Sequence, residues 1–417
     1  MRHRAGAVLA KAFRSFPVWW VATGAVLFIR FPVKFTLEPP FLMDFNVFRA
    51  VAERLAHGQA ALLYAPTAGP EMVFKYGPVW AVLFAPLAWT GAHAAAVLWA
   101  AFTVACLLAG GFAAHRLCRD AGLPSPPWAG PLAVVLLSRP ITSEFLLGQT
   151  NLLWAALTCA HALFALRNRS WPAAACLALA ISLKVPALIF VPYYALQKRW
   201  TLIGQLAACL LAVNLLGVLT LLPGRPLHLF AEWFAVLASS APERAFEIGS
   251  QSLLSLLGRL LRADGYGLNL LALPDAAVMR VAAAVQLALF ALIFLRRSRA
   301  GTGVTAVVDT ALLTTMMAVF SPTSWVATYS VLLVPLMLLP SLALEGPGRT
   351  AARVTLGAAA LVSLFTHSSF WKLLGLRYFK GESYVYQVFL ALPILALTLM
   401  AGLWMVRRGA PPRTSRS

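Results

Sequence analysis

The residues of this chain that could do chemistry are few and far apart. Asp44 stands in Phe41-Leu42-Met43-Asp44-Phe45-Asn46-Val47-Phe48-Arg49, a carboxylate among phenylalanines and a methionine just after the first apolar segment. Such surroundings strip water from the carboxylate and suit a general base that takes a proton from a hydroxyl. Asp44 is equally placed to cap the amphipathic run that follows, with Phe45, Phe48, Val51 and Leu55 on one face and Asn46, Arg49 and Glu53 on another. Lys184 lies two residues before Pro186 inside an apolar stretch. A lysine at a bilayer centre costs about 2.5 to 3.5 kcal/mol, so a cation kept there calls for an anion, and a phosphate would serve. Arg139 is a second cation of this kind, with Glu144 as an alternative partner.

The elements that hold these residues must be membrane helices. Of 417 residues 60% are hydrophobic and only 12% charged, and the mean hydropathy of +0.78 is beyond ordinary soluble domains. Apolar windows of roughly 20 residues recur along the chain, as helices need and barrel strands do not. The net charge of +20 reports orientation and anionic lipid, and no basic-aromatic repeat points to nucleic acid. The five cysteines form no C-x-x-C pair and read as small buried hydrophobes. No G-x-x-x-x-G-K-[ST], G-x-S-x-G, H-E-x-x-H or D-x-D signature occurs, and the histidines are scattered, so neither a metal site nor a cofactor is expected.

Charge bias orders the spans. The basic start through Arg14 places the N-terminus inside and makes the first segment, about 16–35, an uncleaved helix. Outer loops then cover 37–76 and 223–276, with Glu53 and Glu71 in the first as reserve bases. The segment 171–196 decides the rest: read as one helix it would invert every later loop, including Arg296-Arg297-Ser298-Arg299, Arg349, Arg407 and Arg408. Broken at Lys184-Val185-Pro186 into a hairpin with Lys184 at its outer tip, it keeps them all inside. The expected fold is an all-α polytopic membrane protein of about 12 (10–13) transmembrane helices with outer-face juxtamembrane helices. Residues 1–407 form one domain, and 408–417 form a disordered cytoplasmic tail. On this topology Asp44, Gln149, Asn151, Lys184, Gln251, Ser252, Ser321, Trp325 and His367 gather at the outer surface, as around a cavity.

The order of Asp44 and its helix, Leu63-Tyr64, Phe74-Lys75-Tyr76-Gly77-Pro78, Gly148-Gln149-Thr150-Asn151, Ser182-Leu183-Lys184-Val185-Pro186, Gly249-Ser250-Gln251-Ser252 and Ser321-Pro322-Thr323-Ser324-Trp325 resembles glycosyltransferase family 87. These are GT-C transferases similar to polyprenyl-phosphate-mannose-dependent alpha-mannosyltransferases. Two positions depart from the family pattern: Gly77 stands where a Tyr-Pro-Pro would have its first proline, and Ser250 where an asparagine is expected. The resemblance implies a GT-C-like bundle in the cell membrane that transfers a sugar on the extracytoplasmic side, inverting and without metal. It implies a polyprenyl-phosphate sugar donor, a glycolipid or glycan acceptor, and Asp44 as general base. Lys184 and Arg139 would bind the donor phosphate, and Tyr76, Gln149, Asn151, Gln251, Ser252, Ser321 and Trp325 the substrates. A lipid-linked glycan polymerase or ligase, or a polyprenyl-glycolipid transporter, would share several of these features.

Overall fold

The computed structural model describes residues 15–38, 42–67, 72–221, 226–247, 249–263, 270–295, 303–346, 348–367, 370, 373 and 382–409. The expectations placed on the basic start before Ser15, on Glu71, on Arg296-Arg297-Ser298-Arg299 and on the tail beyond Gly409 fall outside these residues; Arg408 itself closes the last helix.

All regular structure among the described residues is helical. The chain runs through α1 (Phe16–Leu37), the amphipathic α2 (Met43–Ala56), the short α3 (Pro78–Trp89) and the long α4 (Ala92–Asp120). Next come α5 (Ala129–Leu136), α6 (Ser138–Leu147), α7 (Asn151–Leu166), α8 (Ser170–Leu183) and α9 (Val185–Leu196). The second half holds α10 (Trp200–Leu221), α11 (Pro226–Arg244), α12 (Leu253–Leu261), α13 (Asp275–Phe294) and α14 (Gly303–Phe320). It ends with α15 (Val326–Glu345), α16 (Arg349–Leu364) and α17 (Glu382–Arg408). Pro32, which can neither donate nor fit in a regular turn, widens α1 to a π-turn over Ile29–Val33.

Seven of these helices are long and apolar enough to cross a membrane, or eight if α5 and α6, bent by 72° at Leu137, are one span. The chain is therefore a multi-pass membrane protein, but the count by length falls short of about twelve. The reason is local: α3, α7, α8 and α9 are apolar yet short. The 16 residues of α7 extend about 24 Å, less than a hydrocarbon core of about 30 Å. Burial sorts the long helices. The apolar window of α15 is 94% buried and that of α14 78%, whereas those of α10 and α13 are 28% and 22% buried, so the former pair is the core and the latter presents its apolar surface outward.

The hairpin at Lys184 is real. His161 on α7 bonds the Ala173 carbonyl of α8 through Nδ1 at 2.8 Å and the Tyr194 hydroxyl of α9 through Nε2 at 2.6 Å. One straight helix would hold Ala173 and Tyr194 about 31 Å apart, yet a single imidazole touches both, so the chain doubles back between them. Lys184 sits at the turn with extended backbone, between the end of α8 and the start of α9, whose second residue is Pro186.

Candidate active site

A cavity of about 600 Å³ opens beside the hairpin tip, and its wall includes Asp44, Tyr76, Gln149, Lys184, Ser321 and Trp325. These residues come from α2, the loop before α3, the turn before α7, the hairpin and the loop before α15. Most of the remaining wall is apolar, including Met43, Phe48, Ile189 and Met316.

Each polar group has an identifiable mount. Asp44 lies in the first turn of α2, half-buried, where the helix dipole favours a carboxylate. The N-cap is Leu42, with no side-chain cap bond, and Asp44 stands two residues further in. The buried face of α2 carries Phe45, Phe48 and Val51, while Arg49 and Glu53 pair at 2.6 Å on the other side. Phe48 packs against Phe74, Tyr76, Phe84 and Trp99, which fixes α2 and the Tyr76 loop to each other. Burial, and then the charge of Asp44, hold the Tyr76 phenol above its ordinary range, so it stays neutral.

Gln149 is set by a turn that only glycine fits. Gly148 has φ +70°, and a Cβ there would lie 2.5 Å from the Cβ of Phe45. Its carbonyl accepts the indole N–H of Trp99 at 3.0 Å. Just beyond, the Lys184 ammonium donates to Asn151 Oδ1 at 2.5 Å and to Gln149 Oε1 at 3.5 Å, and it lies 5.9 Å from the ring centre of Trp154. Glu144, wholly buried, accepts from Asn151 Nδ2 at 2.7 Å and from the Leu152 backbone N–H at 3.0 Å. Glu144 and Asp44 both act electrostatically on Lys184.

The hairpin tip is tied to the Tyr76 loop as well. The Gly77 N–H donates to the Ser182 carbonyl at 2.7 Å, and a Cβ at 77 would meet Asn214 Oδ1 at 2.5 Å. The glycine at this position of the family pattern is thus explained by contact with Ser182 and Asn214; a proline would remove the N–H that makes the tie.

Four of the predicted site residues lie elsewhere. Asn151 is wholly buried behind Lys184. Gln251 and Ser252 are buried behind the Trp325 loop: the Gln251 N–H donates to the Ser324 carbonyl at 2.6 Å, and Ser252 Oγ donates to the Pro322 carbonyl at 2.9 Å while capping α12. Arg139 is not in the cavity wall; it acts on His367, whose ring bonds Ser138 at 3.1 Å. The structure adds Lys75, Glu247 and Trp154 to the wall. Trp154 was findable in principle, three residues after Asn151 and hence on the same helix face; Glu247 carried no local signal.

The family model for glycosyltransferase family 87 matches residues 74–322, more than half of the chain. The chain belongs to glycosyltransferase family 87. The match covers the Tyr76, Gln149, Lys184 and Gln251 motifs. Among its relatives is the polyprenol-phosphate-mannose-dependent alpha-(1-2)-phosphatidylinositol mannoside mannosyltransferase of Mycobacterium tuberculosis. It is 28% identical over 176 residues, 38% of this chain and 40% of that protein. The protein of the same description from Mycolicibacterium smegmatis is 28% identical over 196 residues, 43% of this chain and 44% of its own. The matches thus span less than half of each relative's length. Among solved structures, ArnT from Cupriavidus metallidurans bound to undecaprenyl phosphate aligns over 94% of this chain and 77% of its own, with 16% identity and a TM-score of 0.35.

Proposed function

We propose that this family 87 protein transfers a hexose, mannose by analogy with its relatives, from a polyprenyl-phosphate donor to a hydroxyl of a glycolipid or glycan acceptor. The site faces the extracytoplasmic side of the cell membrane. The observation that carries the reading is that one apolar-walled cavity holds both Asp44 and Lys184, a carboxylate and a cation from distant parts of the chain. The relatives are described as using polyprenol-phosphate-mannose and a phosphatidylinositol mannoside, which supports both halves of the reading.

In this mechanism Asp44 takes the proton of the acceptor hydroxyl as its oxygen bonds to the anomeric carbon. The bond from that carbon to the phosphate oxygen breaks on the opposite face, with inversion, and the electron pair leaves on polyprenyl phosphate. Lys184 stabilises the charge that develops there, so the chain supplies its own cation for the leaving group. Tyr76, Gln149, Ser321 and Trp325 orient the sugars from the wall, and Asn151, Gln251 and Ser252 hold that wall from behind. Arg139, outside the cavity wall, is given no phosphate contact in this reading.

The test is Asp44→Asn, assayed with purified protein, labelled polyprenyl-phosphate sugars and membrane glycolipid extract. The expected result is a loss of about 10² to 10⁴ in turnover with donor binding retained, the range for a positioned base. Near wild-type transfer by the folded variant would move the base elsewhere, with Glu53 and Glu71 next in line.

A further inference from the structure

A buried carboxylate only accepts hydrogen bonds, and that fact orders three side chains behind the cavity. Glu144 receives Leu152 N–H on Oε1 and Asn151 Nδ2 on Oε2. Asn151 must then turn its carbonyl oxygen the other way, where the Lys184 ammonium donates at 2.5 Å. The flipped amide would face oxygen to carboxylate and NH₂ to ammonium, two repulsive contacts at once, so chemistry alone fixes its orientation. The placement follows from the chain. Gly148 turns it sharply between α6 and α7, which brings Glu144 under the first turn of α7, where backbone N–H groups lack helical partners and the dipole favours a negative charge.

The arrangement differs from a salt bridge in one respect. A carboxylate in direct contact would sit on the ammonium and repel an arriving anion. Here the negative charge is one amide away, behind the lysine, while the ammonium lies in the cavity wall. Of its three donors one is well engaged by Asn151, and the Gln149 contact, at 3.5 Å, is weak enough to exchange for a stronger acceptor.

We propose that Glu144 is a positioning residue for the leaving group: through Asn151 it neutralises and aims Lys184 so that the ammonium receives the polyprenyl phosphate without being occupied beforehand. The proposal rests on the reading of Lys184 as the ligand of the donor phosphate. A charged pair relayed by an amide balances the lysine's own charge and leaves the incoming phosphate a cation whose counter-charge is already set back.

Binding of polyprenyl phosphate to purified protein in lipid nanodiscs tests this, with polyprenol as the phosphate-free control. Glu144→Gln keeps the size of the side chain and removes its charge; it is expected to weaken polyprenyl phosphate at least tenfold and leave polyprenol unchanged. In a Lys184→Met background the same substitution is expected to add no further loss, because its effect passes through the lysine. An equal loss in both backgrounds, or none in either, overturns the relay. If Lys184→Met alone leaves phosphate binding intact, the donor reading itself fails; if it weakens binding while Glu144→Gln does not, only the relay fails. Should Glu144→Gln not accumulate, Asn151→Ser cuts the link while keeping both charges: a tenfold loss of phosphate binding supports the proposal, and wild-type affinity overturns it.

Discussion

Two buried carboxylates of this protein are handled in opposite ways. At the end of the bundle away from the cavity, Asp309 in the first half of α14 is held directly by Arg407 at 2.6 Å and by the Tyr193 hydroxyl at 2.9 Å. Arg407 also bonds the Ile293 carbonyl at 2.6 Å, and the side chains of the pair are only 8% and 1% exposed. At the cavity end, Glu144 reaches its cation only through Asn151, and that cation lies in an open wall. The first arrangement is closed and joins α9, α13, α14 and α17. The second leaves the charge able to meet a ligand. A carboxylate and a cation thus form a clamp where the cation is sealed in and leave the cation accessible where it is not.

Substitutions sharpen that contrast, beginning with the clamp. Arg407→Met strands Asp309 and is expected to cost about 3 to 5 kcal/mol of stability, the range for breaking a buried pair from one side. A thermal-shift series in detergent would show it, while kcat per folded molecule should stay unchanged. Lys184→Met should reverse the pattern, weakening donor use by about 2 to 5 kcal/mol, read as kcat/KM for the polyprenyl-phosphate sugar. Its stability should fall less than that of Arg407→Met, because Glu144 keeps its bonds from Asn151 and Leu152. Equal stability losses in the two variants would erase the distinction. Gly148→Ala forces a side chain into a left-handed turn against Phe45 and is expected to cost about 1 to 3 kcal/mol, with a raised donor KM as Gln149 moves. The smallest effect is expected at the far wall. Trp233→Phe removes the 3.2 Å indole bond to the Lys75 carbonyl and should change stability by about 0.5 to 1.5 kcal/mol without altering donor KM.

The sequence makes legible whatever rests on local steric or dielectric cost. A lysine and a proline two residues apart in an apolar run announce the hairpin, and the spacing of Phe45, Phe48 and Val51 announces α2 and the face it buries. The helix count was less legible, because hydropathy does not tell a spanning helix from a short one packed inside a bundle, and α7, α8 and α9 are the second kind. Side-chain direction was least legible of all. Arg139 and Glu144 share a segment, yet Arg139 lies outside the cavity wall and Glu144 folds beneath Asn151. Gln251 and Ser252 stand among the motif residues but act through backbone bonds to the Trp325 loop, a role that only three-dimensional packing reveals.

The doubled-back chain at Lys184 bears on how the protein is made. Helix α8 has 14 residues, about 21 Å, so as it leaves the ribosome it cannot bridge a bilayer core of about 30 Å. It finds a stable resting place only once α7 and α10, against which it packs, flank it. In the finished bundle the hairpin is therefore held by its neighbours rather than by its own length. A reporter fused shortly after Lys184, before α10 exists, is expected to report a less uniform orientation than one fused after α10, because α8 then lacks one of the two helices it packs against.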